Sequence, residues 1–221
     1  MINFQKIGGV AALYEAVAYL VAIVLFLFVL NCPSIVEPAE KVALLVNNQT
    51  TMYLLHLVVY EVFGIFLVVL ALALYDRLKD SAPTVMQIAT ALGLIWAGVL
   101  VASGMVFNAG TVSIIDLYGK DPAQAVSVWL AIESVSDGLS SANGEILGGL
   151  WTFLVSWAAL RGGLPKALNY LGMVVGVLGL ISAVPNLREM TGVFGMGQIV
   201  WFVWLGSILL RNKPGVSAQL P

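Results

Sequence analysis

An all-α bundle of transmembrane helices is the fold that this sequence predicts, and three observations predict it. Of 221 residues, 60% are hydrophobic and 10% charged, against roughly 45–50% and about 25% in a soluble domain. Mean hydropathy is +0.98, which is more apolar material than one core encloses, so much of the surface faces lipid. Six stretches reach the roughly 20 mostly apolar residues that a crossing needs: 7–30, 51–75, 85–109, 139–160, 166–185 and 189–210. One polytopic domain of about six spans over 1–221 follows.

The first span is interrupted by Glu15 and leads into Asn31-Cys32-Pro33. A long run with an acid inside it and a poor cleavage context is expected to be a retained helix rather than a signal peptide. Residues 35–48 then form an outer connection containing a short helix. The second and third spans follow, separated by a short turn with Arg77, Lys79 and Pro83. After the third span, Asp121-Pro122 supplies a helix cap with proline at the first helical position. Residues 121–135 are expected to form a short outer helix with Val126, Trp129 and Leu130 on one face. Such a helix lies on the outer leaflet or covers the span ends as a lid. All eight prolines fall in connections or at span edges, as their missing N–H requires.

Lysine and arginine favour the cytoplasmic side of short loops. With the N-terminus inside, Lys6, Arg77, Lys79, Arg161, Lys166, Arg211 and Lys213 are cytoplasmic, and only Lys41, Lys120 and Arg188 lie outside. Both termini are therefore expected inside, in a bacterial-type inner membrane. The acids Glu37, Glu40, Asp116, Asp121, Glu133, Asp137 and Glu189 lie on or near the outer side.

Composition excludes several functions. A net charge of −2 with scattered basic residues offers no patch for nucleic acid. The single cysteine, Cys32, allows no internal disulfide and no CxxC site. One histidine, His56, excludes bis-histidine haem but leaves a His/Met pair open, and the Glu-x-x-His, His-Glu-x-x-His and Gly-x-Ser-x-Gly patterns are absent. No lysine lies within a span to carry retinal. No cofactor is expected.

Small residues mark helix contacts in lipid, because close backbone approach replaces hydrophobic drive there. Gly93, Ala97, Gly104 and Asn108 form a stripe on the third span. Ser141, Glu145, Gly148, Gly149, Thr152 and Ser156 form one on the fourth, and Gly172, Gly176 and Gly179 one on the fifth. These three spans are expected to form the tight core. The same region carries Glu145-Ile-Leu-Gly-Gly-Leu-Trp151, then Arg161-Gly-Gly-Leu-Pro-Lys166, then Tyr170-Leu-Gly-Met-Val-Val-Gly-Val-Leu-Gly179. It resembles a family of uncharacterised bacterial membrane proteins of about six spans, known only as a domain of unknown function. That family carries a Gly-Leu-Trp element, a Gly-x-x-Pro-(Arg/Lys) turn and a glycine-rich helix. The resemblance implies the fold and assigns no catalytic residue.

Ionisable groups inside a span are expensive and mark functional positions by default. At about 1.5 Å per residue, Glu15 lies roughly 12 Å from the inner end of its span, Glu61 roughly 15 Å and Glu145 roughly 10 Å from the outer ends of theirs. His56 lies at similar outer depth. No lysine or arginine within a span pairs with the acids. Glu15 and Glu61 are expected either to hydrogen-bond Tyr19, Tyr60 or backbone, or to receive a cation, a proton or an amine. Glu145 is the stronger site residue, with space left by Ser141, Gly148 and Thr152 and with Asn108, Asn143 and Asp137 converging from outside. His56, near Tyr53 and Tyr60, reads as an interfacial histidine.

Three functions fit. The first is binding or transport of an ion or a small apolar or cationic ligand through an outer-facing polar cavity at Glu145, Glu61 and Asn108. The second is an accessory subunit docked on partner membrane chains or on a second copy. The third, ranked lowest, is an enzyme acting on a lipid or isoprenoid with carboxyl acid–base groups.

Overall fold

The computed structural model describes residues 4–140 and 145–211. Every regular element among them is a helix. Helix α1 (Phe4–Ile23) runs on into a π-helical segment (Val24–Val29), and a 3-10 turn (Cys32–Ser34) follows. Then come α2 (Pro38–Asn47), α3 (Gln49–His56), a second π-helical segment (Leu57–Val62) and α4 (Phe63–Leu78). The chain continues through α5 (Pro83–Tyr118), α6 (Pro122–Ser140), α7 (Ile146–Ala159), α8 (Lys166–Ile181) and α9 (Met190–Arg211).

Four continuous helical stretches are long and apolar enough to cross a membrane: Phe4–Val29, Gln49–Leu78, Pro83–Tyr118 and Met190–Arg211. Their outward faces carry Val17, Phe28, Ile65, Ile95 and Val200, all exposed, the surface that a bilayer covers. The chain is a helical membrane protein. Helices α7 and α8, of 14 and 16 residues, span only about 21 and 24 Å at 1.5 Å per residue.

Helix ends depart from the hydropathy windows. Helix α5 does not stop at 109 but reaches Tyr118, and α6 reaches Ser140, so the next helix starts at Ile146 instead of 139. Charge dilutes hydropathy without breaking a helix: Asp116 on the last turn of α5 accepts from Lys120 just beyond it at 2.7 Å. The breakers come later, at Gly119 and Pro122. The buried face of α6 is also shifted from the expected one. Ala125, Trp129 and Ser136 are buried while Leu130 is 43% exposed. Gly110 of α5 sets this register, because Ile132 lies where its Cβ would stand.

Helix α6 folds back along the C-terminal half of α5, here termed its outer half as against the inner, N-terminal half, and the hairpin is pinned at the end away from its turn. There the Ser103 hydroxyl donates to the Ser136 carbonyl at 2.9 Å and Ser136 donates to that of Ser103 at 3.2 Å. Two apolar cores result. The inner one joins α1, α4, the inner half of α5, α7, α8 and α9 around Trp96, Trp151, Trp201 and Phe202. The outer one joins α2, α3, α6 and the outer half of α5 around Leu45, Leu55, Phe107 and Trp129.

The inner core closes on glycine. A Cβ at Gly176 would stand 2.7 Å from the Gly149 carbonyl oxygen, and one at Gly149 would stand 2.8 Å from that of Gly176. This is the expected contact of the fourth and fifth spans. A second one, not flagged by the stripes, joins the first and last helices: a Cβ at Gly206 would meet the Gly9 carbonyl at 2.9 Å.

Candidate functional site

Two adjoining cavities lie where the inner and outer cores meet. The outer cavity, about 350 Å³, is walled by Phe26, Met52, His56, Tyr60, Phe107 and Trp129, with Lys41, Glu133, Ser136 and Asp137 as its polar side. The inner chamber, about 180 Å³, is lined by Tyr19, Ala22, Val59, Phe63, Trp96, Leu100, Ser140 and Glu145. Phe26 and Tyr60 line both and therefore form the wall between them.

His56 is fixed in the outer wall. Its ring stacks on Phe107 at 3.4 Å between centroids and on Tyr60 at 5.3 Å. Its Nδ1 lies 2.9 Å from the Met52 carbonyl. A carbonyl only accepts, so Nδ1 carries the hydrogen and the lone pair of the neutral ring is on Nε2. His56 is only 6% exposed, so it is a cavity-wall residue and not an open interfacial one. Tyr53, expected on its face, is instead 45% exposed. The π-helical segment Leu57–Val62 begins directly after His56 and changes the register that an unbroken α-helix would give. The Val58 carbonyl in that segment accepts a hydrogen bond from the Tyr14 hydroxyl at 2.8 Å.

The charges of the outer cavity are distributed unevenly. Lys41 on α2 reaches Glu133 on α6 at 2.8 Å, so the one cation lining the cavity is already paired. Asp137, one turn further along α6, has no ion-pair or hydrogen-bond partner for its carboxyl among the described residues. Burial, and then the neighbouring Glu133 charge, push the Asp137 carboxyl above the usual aspartate range, with Lys41 opposing. Cys32 also lines this cavity, and burial pushes its thiol up, with Lys41 among the opposing influences.

The acids singled out by the sequence separate into three environments. Glu145, just ahead of α7, lines the inner chamber. Its backbone N–H donates to the Ser182 hydroxyl at 3.0 Å, and its carboxyl has no partner among the described residues. Glu61 lines neither cavity. It accepts from Asn108 Nδ2 at 2.9 Å, while a Cβ at Gly104 would meet its Cγ at 2.8 Å. Glu61 and Asn108 thus pair the π-helical segment Leu57–Val62 with α5, in place of the expected tyrosine bonds. Glu15 is fully buried, and neither carboxyl oxygen has a hydrogen-bond partner among the described residues. Ser141 and Asn143, expected beside Glu145, lie outside the described residues.

Glu145 was expected at a cavity and lines one, whereas His56 was expected as an interfacial histidine, and Asp137 as one of the outer acids converging on Glu145. Sequence reasoning missed the roles of Lys41, Glu133, Tyr60 and Phe26. The available signal was the outer clustering of acids, which becomes specific only once α2 and α6 fold over the bundle.

The family described as a domain of unknown function (DUF4386) matches residues 16–206, and the chain belongs to it. No curated protein and no solved structure matches the chain.

Proposed function

We propose that this DUF4386 member binds a small organic cation in its outer cavity, as the receiving site of a binding or transport protein. The observation that carries this reading is the cavity wall. Aromatic rings from Phe26, Tyr60, Phe107 and Trp129 surround a space whose unpaired charged side chain is Asp137. Rings attract a cation through their negative faces, contributing about 0.5–2 kcal/mol each by exposure, and the carboxylate supplies the counter-charge. The volume falls in the range of small-ligand sites, roughly 300–1,000 Å³.

In the same reading the chain crosses a bacterial inner membrane six times, with both termini cytoplasmic. Helices α7 and α8 are the fourth and fifth crossings, lengthened by their flanking residues. The partition of lysine and arginine, seven to three, supports this orientation. Lys41, Asp137 and the outer cavity then open to the outside.

The test is thermal unfolding of the detergent-solubilised protein with benzyltrimethylammonium or with its neutral carbon isostere. The ammonium compound raises the midpoint in a concentration-dependent way, because a ligand that binds only the folded state stabilises it. Equal shifts from both compounds would remove the cation from the proposal.

A further inference from the structure

We infer that the inner chamber is a second cation station, with Glu145 as its acid and with Phe26 and Tyr60 as a movable constriction between it and the outer cavity. This rests on the reading of the outer cavity as a cation site and extends it from binding to passage.

Three independent features meet here. The two cavities share two lining residues, Phe26 and Tyr60, so these side chains stand where the spaces adjoin. Each space has one acid with no partner among the described residues, Asp137 outside and Glu145 inside. Glu145 is the only charged side chain among the residues lining the inner chamber, whose other walls are mainly apolar. A cation that leaves Asp137 therefore meets a single counter-charge in an otherwise apolar space, where its attraction is strengthened by low polarity.

The third feature is backbone geometry. Phe26 lies in the π-helical segment Val24–Val29 and Tyr60 in Leu57–Val62. A π turn holds one residue more than an α turn, and such bulges recur at functional sites. Migration of such a π turn by one residue along its helix re-aims the side chains that it passes while the flanking helices keep their hydrogen bonds. The two segments carry Phe26 and Tyr60, the two residues that line both spaces. The Glu61–Asn108 pair at the deep end of the second segment ties it to α5 beside Tyr60.

The experiment is thiol labelling of Ala22→Cys, whose side chain lines the inner chamber, in a Cys32→Ser background that removes the native thiol. Val59→Cys reports on the same chamber should the first variant not fold. Intact cells or outward-oriented vesicles receive a cationic aminoethyl or an anionic sulfonatoethyl thiosulfonate from outside. The inner thiol reacts with the cationic reagent at least about tenfold faster than with the anionic one, the local concentration effect of a charged cleft. Glu145→Gln collapses that ratio, and Tyr60→Ala accelerates both reagents. An inner thiol unreactive even with Tyr60→Ala would show that no passage exists. Equal rates for both reagents, or a preference that survives Glu145→Gln, would overturn the station at Glu145. These outcomes are distinct from failure of the outer site, which shows as no difference between ammonium and isostere in thermal unfolding.

Discussion

The two halves of the molecule are packed by different means. Below the chambers, helices touch backbone to backbone, as at Gly149 with Gly176 and Gly9 with Gly206, and large aromatic rings fill the remaining space. Above them, α2, α3 and α6 meet one another and α5 through side chains, a part-buried ion pair between α2 and α6 and one seam of serine hydrogen bonds between α5 and α6. Glycine contacts leave no room for a side chain, whereas side-chain contacts leave a cavity. Backbone-to-backbone packing is therefore concentrated in the bundle, and the larger cavity lies against the layer above it.

The largest effect that separates the halves is steric. Gly149→Val places a side chain against the Gly176 carbonyl, a backbone atom that cannot turn aside. A loss of about 3 kcal/mol or more is expected, at the upper end of overpacking costs, read as loss of monodisperse folded protein. Gly98 is the internal control. It lies in the long helix α5, nothing stands within 4 Å of its Cβ position, and Gly98→Ala stabilises by about 0.5–1 kcal/mol.

Binding effects in the outer layer come next. Asp137→Asn lowers affinity for benzyltrimethylammonium about tenfold, equivalent to about 1.4 kcal/mol, and leaves the neutral isostere unchanged. Lys41→Met acts in the opposite direction. It frees Glu133 and raises cation affinity several-fold, while folding stability changes by no more than about 1 kcal/mol, as for any partly exposed ion pair.

The smallest effect is on pH dependence. The Asp137 carboxyl titrates above the usual aspartate range, and only its ionised form attracts a cation. Affinity for the permanently charged probe is therefore full above that raised value and falls as pH drops through it. The fall begins at a higher pH than an ordinary aspartate would give, and Asp137→Asn flattens it. A titration of binding against pH checks both statements.

Lipid-facing helices and the glycine contact between α7 and α8 were legible in the sequence, because composition and small-residue spacing encode them directly. The contact at Gly9 and Gly206 was not, since no spacing within one helix reveals which distant helix it meets. The end of α5 was misplaced because Asp116 and Lys120 lower hydropathy while sustaining the helix. The cavity was legible only in part. Glu145 and His56 attract notice as polar residues in apolar spans, but Lys41, Glu133 and Asp137 look like ordinary loop charges until α2 and α6 fold together. The register change after His56 is also invisible to an ideal helical wheel, which separates His56 from Glu61 by about 140°.

Selection of positive charge by the outer cavity is proposed to run through Asp137. It is measured by calorimetric titration of benzyltrimethylammonium into wild-type protein and Asp137→Asn, each beside the neutral isostere. The ammonium is expected to bind the wild type saturably, at least about tenfold tighter than the isostere, with that margin lost in Asp137→Asn. Equal affinities in the wild type, or a margin that Asp137→Asn leaves intact, would contradict it.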